Sequence, residues 1–456
     1  MFCGNHQFKE GVKLGKKKRK KIKYDLVKTL SPITFPLVYE ELIRPLYIKA
    51  CQGSHHLWDK IANFDEFKDN EELREEFYRS ANQGMMSAQD DIVAIVQSEE
   101  KLDYPKELLL RGIADAIAWQ LLGHQLAHAR HFFKYISQPD LYNSNFESVV
   151  FASKEFIQEK QNAVSLISDL TSFIQVGDLL IYEPGSGLTI AEVKEGAMNA
   201  KIGNFMKFYM QSQCDKALYD FVNQEGEKTV KQMQRMSRQA SRMAHVTSVL
   251  RSGKSVDPDT NQEINIPAPF FPIKTWDERL VNTLEQANTK GWAIDVIDNC
   301  LFLGIYASED AYSKGHIIFN TWFDGMGGSP DCPRALLIDC MKLPLALPIF
   351  SRDIPDEYKF DILFGRKQVC MGICIESLLN ECKKSGLSTR FATNKERGRL
   401  DKTGNRPYKY KGNVVFISNG RTELPLMDGV FLRIMFHGQS PVSIIKTLLD
   451  STEEYT

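Results

Sequence analysis

VGDLLIYEPGSGLTIAEVK, residues 176–194, decides how this chain is read. Two short apolar runs flank Pro184-Gly185-Ser186-Gly187, a cluster of turn formers. The pattern predicts an antiparallel hairpin of strands Asp178–Glu183 and Leu188–Lys194. Residues i and i+2 of a strand share a face, so Glu192 and Lys194 point the same way and Val193 points into the core. Register then depends on the turn. A loop with an odd number of residues sets Glu183 opposite Gly187, and counting back sets Asp178 opposite Glu192. Directly opposed Cβ atoms lie about 4.5–5.5 Å apart, and two like charges at that distance destabilise a sheet unless something neutralises them. A four-residue loop would send Asp178 to the other face.

The residue types suit a hard divalent cation, which takes one or two carboxylates and keeps several waters. Asp178 and Glu192 are the expected ligands of Mg²⁺ or Mn²⁺, with the Val193 carbonyl as a further donor. Lys194 is placed to orient water and to offset charge on a phosphodiester. Gly-Asp, a short hairpin and Glu-x-Lys together resemble the restriction-endonuclease-like, or PD-(D/E)XK, phosphodiesterase superfamily. The resemblance implies an αβββαβ core built on a mixed sheet, over residues 105–250. It implies Asp178, Glu192 and Lys194 as catalytic residues, the first two holding the metal. Gly177 stands where proline is common in that superfamily. Members also carry an acidic residue on the helix before the sheet, for which Asp115, Glu155 and Glu159 are candidates, with Asp169 near the end of the first strand as another, and a glutamine or basic residue on the helix after it. Lys231, Gln232, Arg235, Arg238 and Arg242 are the candidates there. The four cations fall at spacings of four, three and four, one face of a helix suited to a phosphate backbone. The competing accounts are a surface hairpin with a Lys194–Glu192 ion pair, and an ordinary solvated basic face.

Around this core the chain divides by composition. Residues 1–23 are a polar tail with the basic run GKKKRKKIK at 15–23, expected to be disordered. Residues 24–104 read as an N-terminal helical region. Glu107–Tyr135 reads as one long helix, and Glu147–Gln161 as another. Asn199–Leu250 reads as helical, interrupted near Gly226. Residues 251–272, rich in turn formers and proline, read as a linker. Residues 273–456 read as an α+β domain, with a hairpin of Trp292–Ile297 and Leu301–Tyr306 around Asp298-Asn299. Further strands are expected at Val414–Ser418 and Val430–Phe436, and a closing helix at Ser443–Leu449. The fold class is therefore α/β: a mixed-sheet αβββαβ core between a helical region and an α+β domain.

Other features carry less. His124, His128 and His131 would share a face of the long helix and could hold a metal, though neutral half-buried histidines fit the pattern as well. Lys395–Lys411 interleaves cations with Tyr408 and Tyr410, as a nucleic-acid surface would. Gly253-Lys254-Ser255 lacks the preceding glycine and strand of a phosphate-binding loop. The nine cysteines form no CxxC pair, which suits reduced thiols in the cytoplasm. The first residues lack the apolar core of a secretory signal, and no run is long and apolar enough for a membrane. With a net charge of −1, nucleic-acid binding must rest on local patches. The expectation is a metal-dependent nuclease acting on nucleic acid, DNA first, in a prokaryotic defence or repair role, with flanking regions that recognise substrate or bind a second copy or partner protein. The alternatives are a non-catalytic nucleic-acid-binding protein and a structural or regulatory partner protein.

Overall fold

The structure is a computed structural model that describes residues 30, 34–61, 63–134, 136–143, 145–160, 162–194, 196–258, 263–266, 273–402 and 407–453. The basic tail lies outside the described residues. The chain is a mixed α and β protein whose buried apolar side chains form one continuous cluster from Leu30 to Leu449.

Helices α1 (Glu40–Gln52), α2 (Glu71–Ser98), α3 (Tyr104–Leu121), α4 (Leu126–Phe132) and α5 (Phe146–Glu159) precede the first sheet. Helices α1 and α2 touch backbone to backbone at a glycine: a Cβ on Gly84 would fall 2.4 Å from the Lys49 carbonyl oxygen. Every residue of α3 from Leu109 to Trp119 is buried, which makes it the central helix. The expected single helix of Glu107–Tyr135 is two. Gly123 and His124 both take positive φ, 58° and 57°, and break it between Leu121 and Leu126. That break removes His124 from the face shared by His128 and His131.

The first sheet has strands β1 (Val164–Ile167), β2 (Leu179–Glu183) and β3 (Gly187–Ala191), in that order and all antiparallel. The expected mixed sheet is absent among the described residues, because the outer edge of β1 is already satisfied. The Gln89 side chain of α2 donates from Nε2 to the Ser165 carbonyl (2.9 Å) and accepts from Ile167 N–H at Oε1 (2.8 Å). Ser153 of α5 donates its hydroxyl to the same Ser165 carbonyl (2.8 Å). A side-chain amide stands where a fourth strand would pair.

Helices α6 (Ala197–Ser212) and α7 (Asp215–Ser252) follow, with α7 kinked at Gly226 (φ 76°, ψ 175°). The segment expected to be a linker contains β4 (Lys254–Val256) and β5 (Glu263–Asn265), a two-stranded antiparallel pair; its residues 259–262 and 267–272 lie outside the described set. Helix α8 (Asp277–Lys290) leads to the expected hairpin of β6 (Trp292–Ile297) and β7 (Leu301–Tyr306), in a sheet with β8 (Arg334–Leu336) and β9 (Gln368–Ile373) ordered β6-β7-β9-β8. A second sheet joins β10 (Ser388–Phe391), β11 (Lys409–Tyr410), β12 (Asn413–Ser418) and β13 (Glu423–Pro425). Residues 430–436, expected as a strand, belong to helix α9 (Asp428–Phe436). Nearly all of them are buried, so no exposed face was left to mark the helical period. Among the described residues, no helix is long and apolar enough to cross a membrane.

Helix α3 pins the loop between β1 and β2. Arg111 donates to the carbonyls of Asp169 (2.6 Å) and Thr171 (2.9 Å), and one turn on, Asp115 accepts from Ser172 N–H (2.7 Å). Burial outweighs these hydrogen bonds and pushes the Asp115 carboxyl up to about 7. Its protonated form contributes stability that is fully present below about pH 4, the range of an unfolded aspartate, and is lost as pH rises through 7. Asp115→Asn keeps the acceptor and removes the charge. Its melting temperature is expected to match the parent's at pH 4 and exceed it at pH 8; an equal gap at both pH values would refute this account.

Candidate active site

The β2–β3 turn holds three residues, Pro184 to Ser186, so Glu183 pairs with Gly187 and Leu179 with Ala191. One step beyond that last pair stand Asp178 and Glu192, near enough that the Glu192 charge raises the Asp178 carboxyl. Asp178 N–H still donates to the Ala191 carbonyl (2.8 Å), but Glu192, Val193 and Lys194 lie beyond the end of β3. The strand expected through Lys194 therefore stops at Ala191, where Asp178 turns its side chain onto the backbone: Oδ2 accepts from Val193 N–H (2.8 Å).

Gly177 sets up this approach. Its φ is +79°, and a Cβ there would fall 2.2 Å from Ile190 Cγ2 and 2.9 Å from the Ala191 carbonyl oxygen. Proline, fixed near −65°, could not take its place. Glycine at this position thus has a backbone cause.

Lys194 Nζ donates to Glu192 Oε1 (2.6 Å), and the pair is joined by a residue the sequence did not single out. Gln239 of α7 accepts from Lys194 at Oε1 (3.0 Å) and donates from Nε2 to Glu192 Oε1 (2.7 Å). The three side chains close a ring between the hairpin exit and the long helix. One signal was available: Gln239 sits seven residues after Gln232 and between Arg235 and Arg242 at helical spacing. The cations drew the reading instead.

Asp178 is half-buried, and its carboxyl is pushed up to about 6. Burial is the main cause; the negative charges of Glu192 and Asp169 add to it, against the Val193 N–H and Lys194. Asp169, at the end of β1, thus joins the site electrostatically. Asp115 does not, since its role is to hold the loop. Glu155 and Glu159 are exposed on α5 and stand apart. Among the described residues, no group of three or more His, Cys, Asp or Glu side chains is placed to hold a metal ion. The donors available are the carboxylates of Asp178 and Glu192 and backbone oxygen. Both contacts to Glu192 run through Oε1, and the contact to Asp178 through Oδ2. That donor set fits a hard cation that keeps most of its water.

On α7, Arg235 and Arg238 are exposed, and Lys231 pairs with Glu227 (2.5 Å). Gln232 is a brace, donating to Asn199 of α6 (3.1 Å). Arg235 and Arg242 flank Gln239 on its own face. Between residues 228 and 252 the helix carries Lys228, Lys231, Arg235, Arg238, Arg242 and Arg251 and no acidic residue.

The other candidates separate. His131 meets His245 of α7 (Nδ1 to Nε2, 3.3 Å), and His245 meets the Ser255 hydroxyl (2.8 Å). Burial holds His131 down to about 4, helped by His245. Tyr408 and Tyr410 are buried, Tyr408 against Phe431, so neither can stack on a base. Comparison of the chain with protein-family models, curated proteins and solved structures finds no match. The site therefore stands on its geometry alone.

Gly177→Ala forces a side chain into both a positive φ and the Ile190 contact, and is expected to destabilise the protein by about 1–3 kcal/mol in denaturant melts. Gly187 also has positive φ (+76°), but nothing lies within 4 Å of a Cβ there. Gly187→Ala should cost less. Equal losses would remove the packing argument for Gly177.

Proposed function

We propose that this chain is a Mg²⁺- or Mn²⁺-dependent nuclease that hydrolyses phosphodiester bonds of nucleic acid, DNA first, on a plan related to the PD-(D/E)XK superfamily. What supports the reading is the gathering of Asp178, Glu192 and Lys194 at the hairpin end, where the charges of Glu192 and Lys194 both act on the Asp178 carboxyl. Asp178 and Glu192 would hold the metal. When bound, the cation supplies a water of lowered pKa and positive charge for a phosphodiester in flight. Lys194 offsets charge on the phosphate oxygens and orients water, and Gln239 fixes the Lys194 ammonium through its amide oxygen. Arg235 and Arg242 would take flanking phosphates. The helical and C-terminal regions would recognise substrate or bind a second copy or partner protein, and a cytoplasmic role in prokaryotic defence or repair follows from superfamily analogy.

A non-catalytic nucleic-acid-binding protein is the second reading, favoured by the acid-free cationic run of α7 and by the closed Glu192–Lys194–Gln239 ring.

The test is cleavage of duplex DNA, single-stranded DNA and RNA with Mg²⁺, Mn²⁺ or EDTA. The parent is expected to cleave with metal and not with EDTA, and Glu192→Ala and Lys194→Ala each to lose at least about a hundredfold in rate. Parent-like cleavage by both variants sinks the assignment. Binding that falls steeply with salt, without cleavage, moves the protein to the second reading.

A further inference from the structure

Away from the hairpin, two arginines come together at one helix. Arg130 lies on α4, and Gly429 and Arg433 lie one turn apart on α9. A Cβ on Gly429 would fall 1.8 Å from Arg130 Nη2 and 3.0 Å from its Cζ, so the guanidinium rests where any other residue's side chain would stand. Arg433 shares that face of α9, and a helical side chain leans toward the helix N-terminus, here toward Arg130. Arg433 is half-buried, and burial together with the Arg130 charge lowers it to about 10.

No carboxylate is among the charges that shift Arg433, although Asp428 begins α9 beside Gly429. Neither guanidinium forms an ion pair or hydrogen bond with another side chain among the described residues. Arg352, the other arginine of this region, is matched by Asp277. His437 is buried and held neutral, down to about 3, by burial and by the charges of Arg433, Arg352 and His124. Asp428, which begins α9, bears on Tyr408. The nine-residue α9 also directs its N-terminal N–H groups and positive dipole end to this side. Two like charges brought together in a partly desolvated place raise the free energy of the fold unless an anion completes it. Paired guanidinium forks match tetrahedral phosphate oxygens.

We propose that Arg130, Arg433 and the N-terminus of α9 form a binding site for a phosphoryl group, separate from the carboxylate site. It sits on the helix that braces the hairpin. Past the end of α4, Lys134 N–H donates to Gln175 Oε1 (2.7 Å), and Gln175 N–H donates to the Phe132 carbonyl (3.1 Å), three residues ahead of Asp178. The phosphoryl group could belong to a free nucleotide or to a nucleic-acid backbone.

The full chain is melted in sodium phosphate and in sodium chloride of equal ionic strength. Phosphate is expected to raise the melting temperature of the parent above its chloride value, and to lose this effect in Arg130→Gln and in Arg433→Met. Without phosphate, each variant should melt no lower than the parent, because a repulsion has been removed. Arg130 is exposed, so its variant tests the site even if Arg433→Met folds poorly. Phosphate acting no better than chloride on the parent, or equally on Arg130→Gln, overturns the proposal. ATP melts and the anisotropy of a labelled oligodeoxynucleotide in EDTA then separate the sources. Oligonucleotide affinity about tenfold weaker in Arg130→Gln, with a shallower salt dependence, assigns a backbone phosphate. Unchanged oligonucleotide binding with lost ATP stabilisation assigns a free nucleotide.

Discussion

A turn of three residues decides what meets at the end of the β2–β3 hairpin. Strand side chains alternate, so one residue more would carry Asp178 to the opposite face and leave Glu192 and Lys194 without it. Everything proposed for this protein's chemistry depends on that parity. Gly177 makes the second half of the constraint. Its positive φ lets the chain enter β2 hard against Ile190, at a distance no side chain permits. The loop before it is fixed from below by Arg111 and Asp115, one turn apart on the buried helix α3.

A three-stranded sheet is small, and its edges would be open to further pairing. A helix packs at each edge, and the β1 edge is closed by one. On the β1 side, Gln89 supplies the donor and acceptor that a neighbouring strand would have supplied. On the β3 side, the chain leaves the sheet at Ala191 and passes directly to the ring with Gln239 of α7. The end of the sheet and the start of the candidate site are thus the same place. Carboxylates that would be awkward within a ladder sit where backbone pairing has just ceased.

What the sequence made legible follows from range. Both hairpins were readable because turn residues act locally at Pro184-Gly185-Ser186-Gly187 and Asp298-Asn299, but the register of the first was not, since the turn residues suit a loop of three or of four. The kink at Gly226 was readable for the same reason. Gln239 was not, because it lies 47 residues from Glu192 and reaches it only through the packing of α7 on β3. The buried run at 430–436 could not be told from a strand, since a helix apolar on all sides presents no period. Nor could the fate of the β1 edge be read, because a single glutamine on a distant helix decided it. The histidines at 124, 128 and 131 misled through one residue, His124, whose left-handed backbone ends the helix they were assumed to share.

The ring of Glu192, Lys194 and Gln239 could belong to a structural ion pair or to a reacting site, and charge distinguishes the two. An ion pair needs one carboxylate and one ammonium. Here Asp178 is brought against the same pair, so two carboxylates face one ammonium, an excess of one negative charge when both are ionised. That excess adds to burial, the main cause, in raising the Asp178 carboxyl. Packing alone does not account for it, since a neutral residue at 178 could fill the space without the repulsion, and an amide there could still accept from Val193 N–H. A fold that keeps a surplus negative charge half-buried at a strand end, beside the acid-free cationic stretch 228–252 of α7, has the charge arrangement that a divalent cation and a phosphodiester would together neutralise.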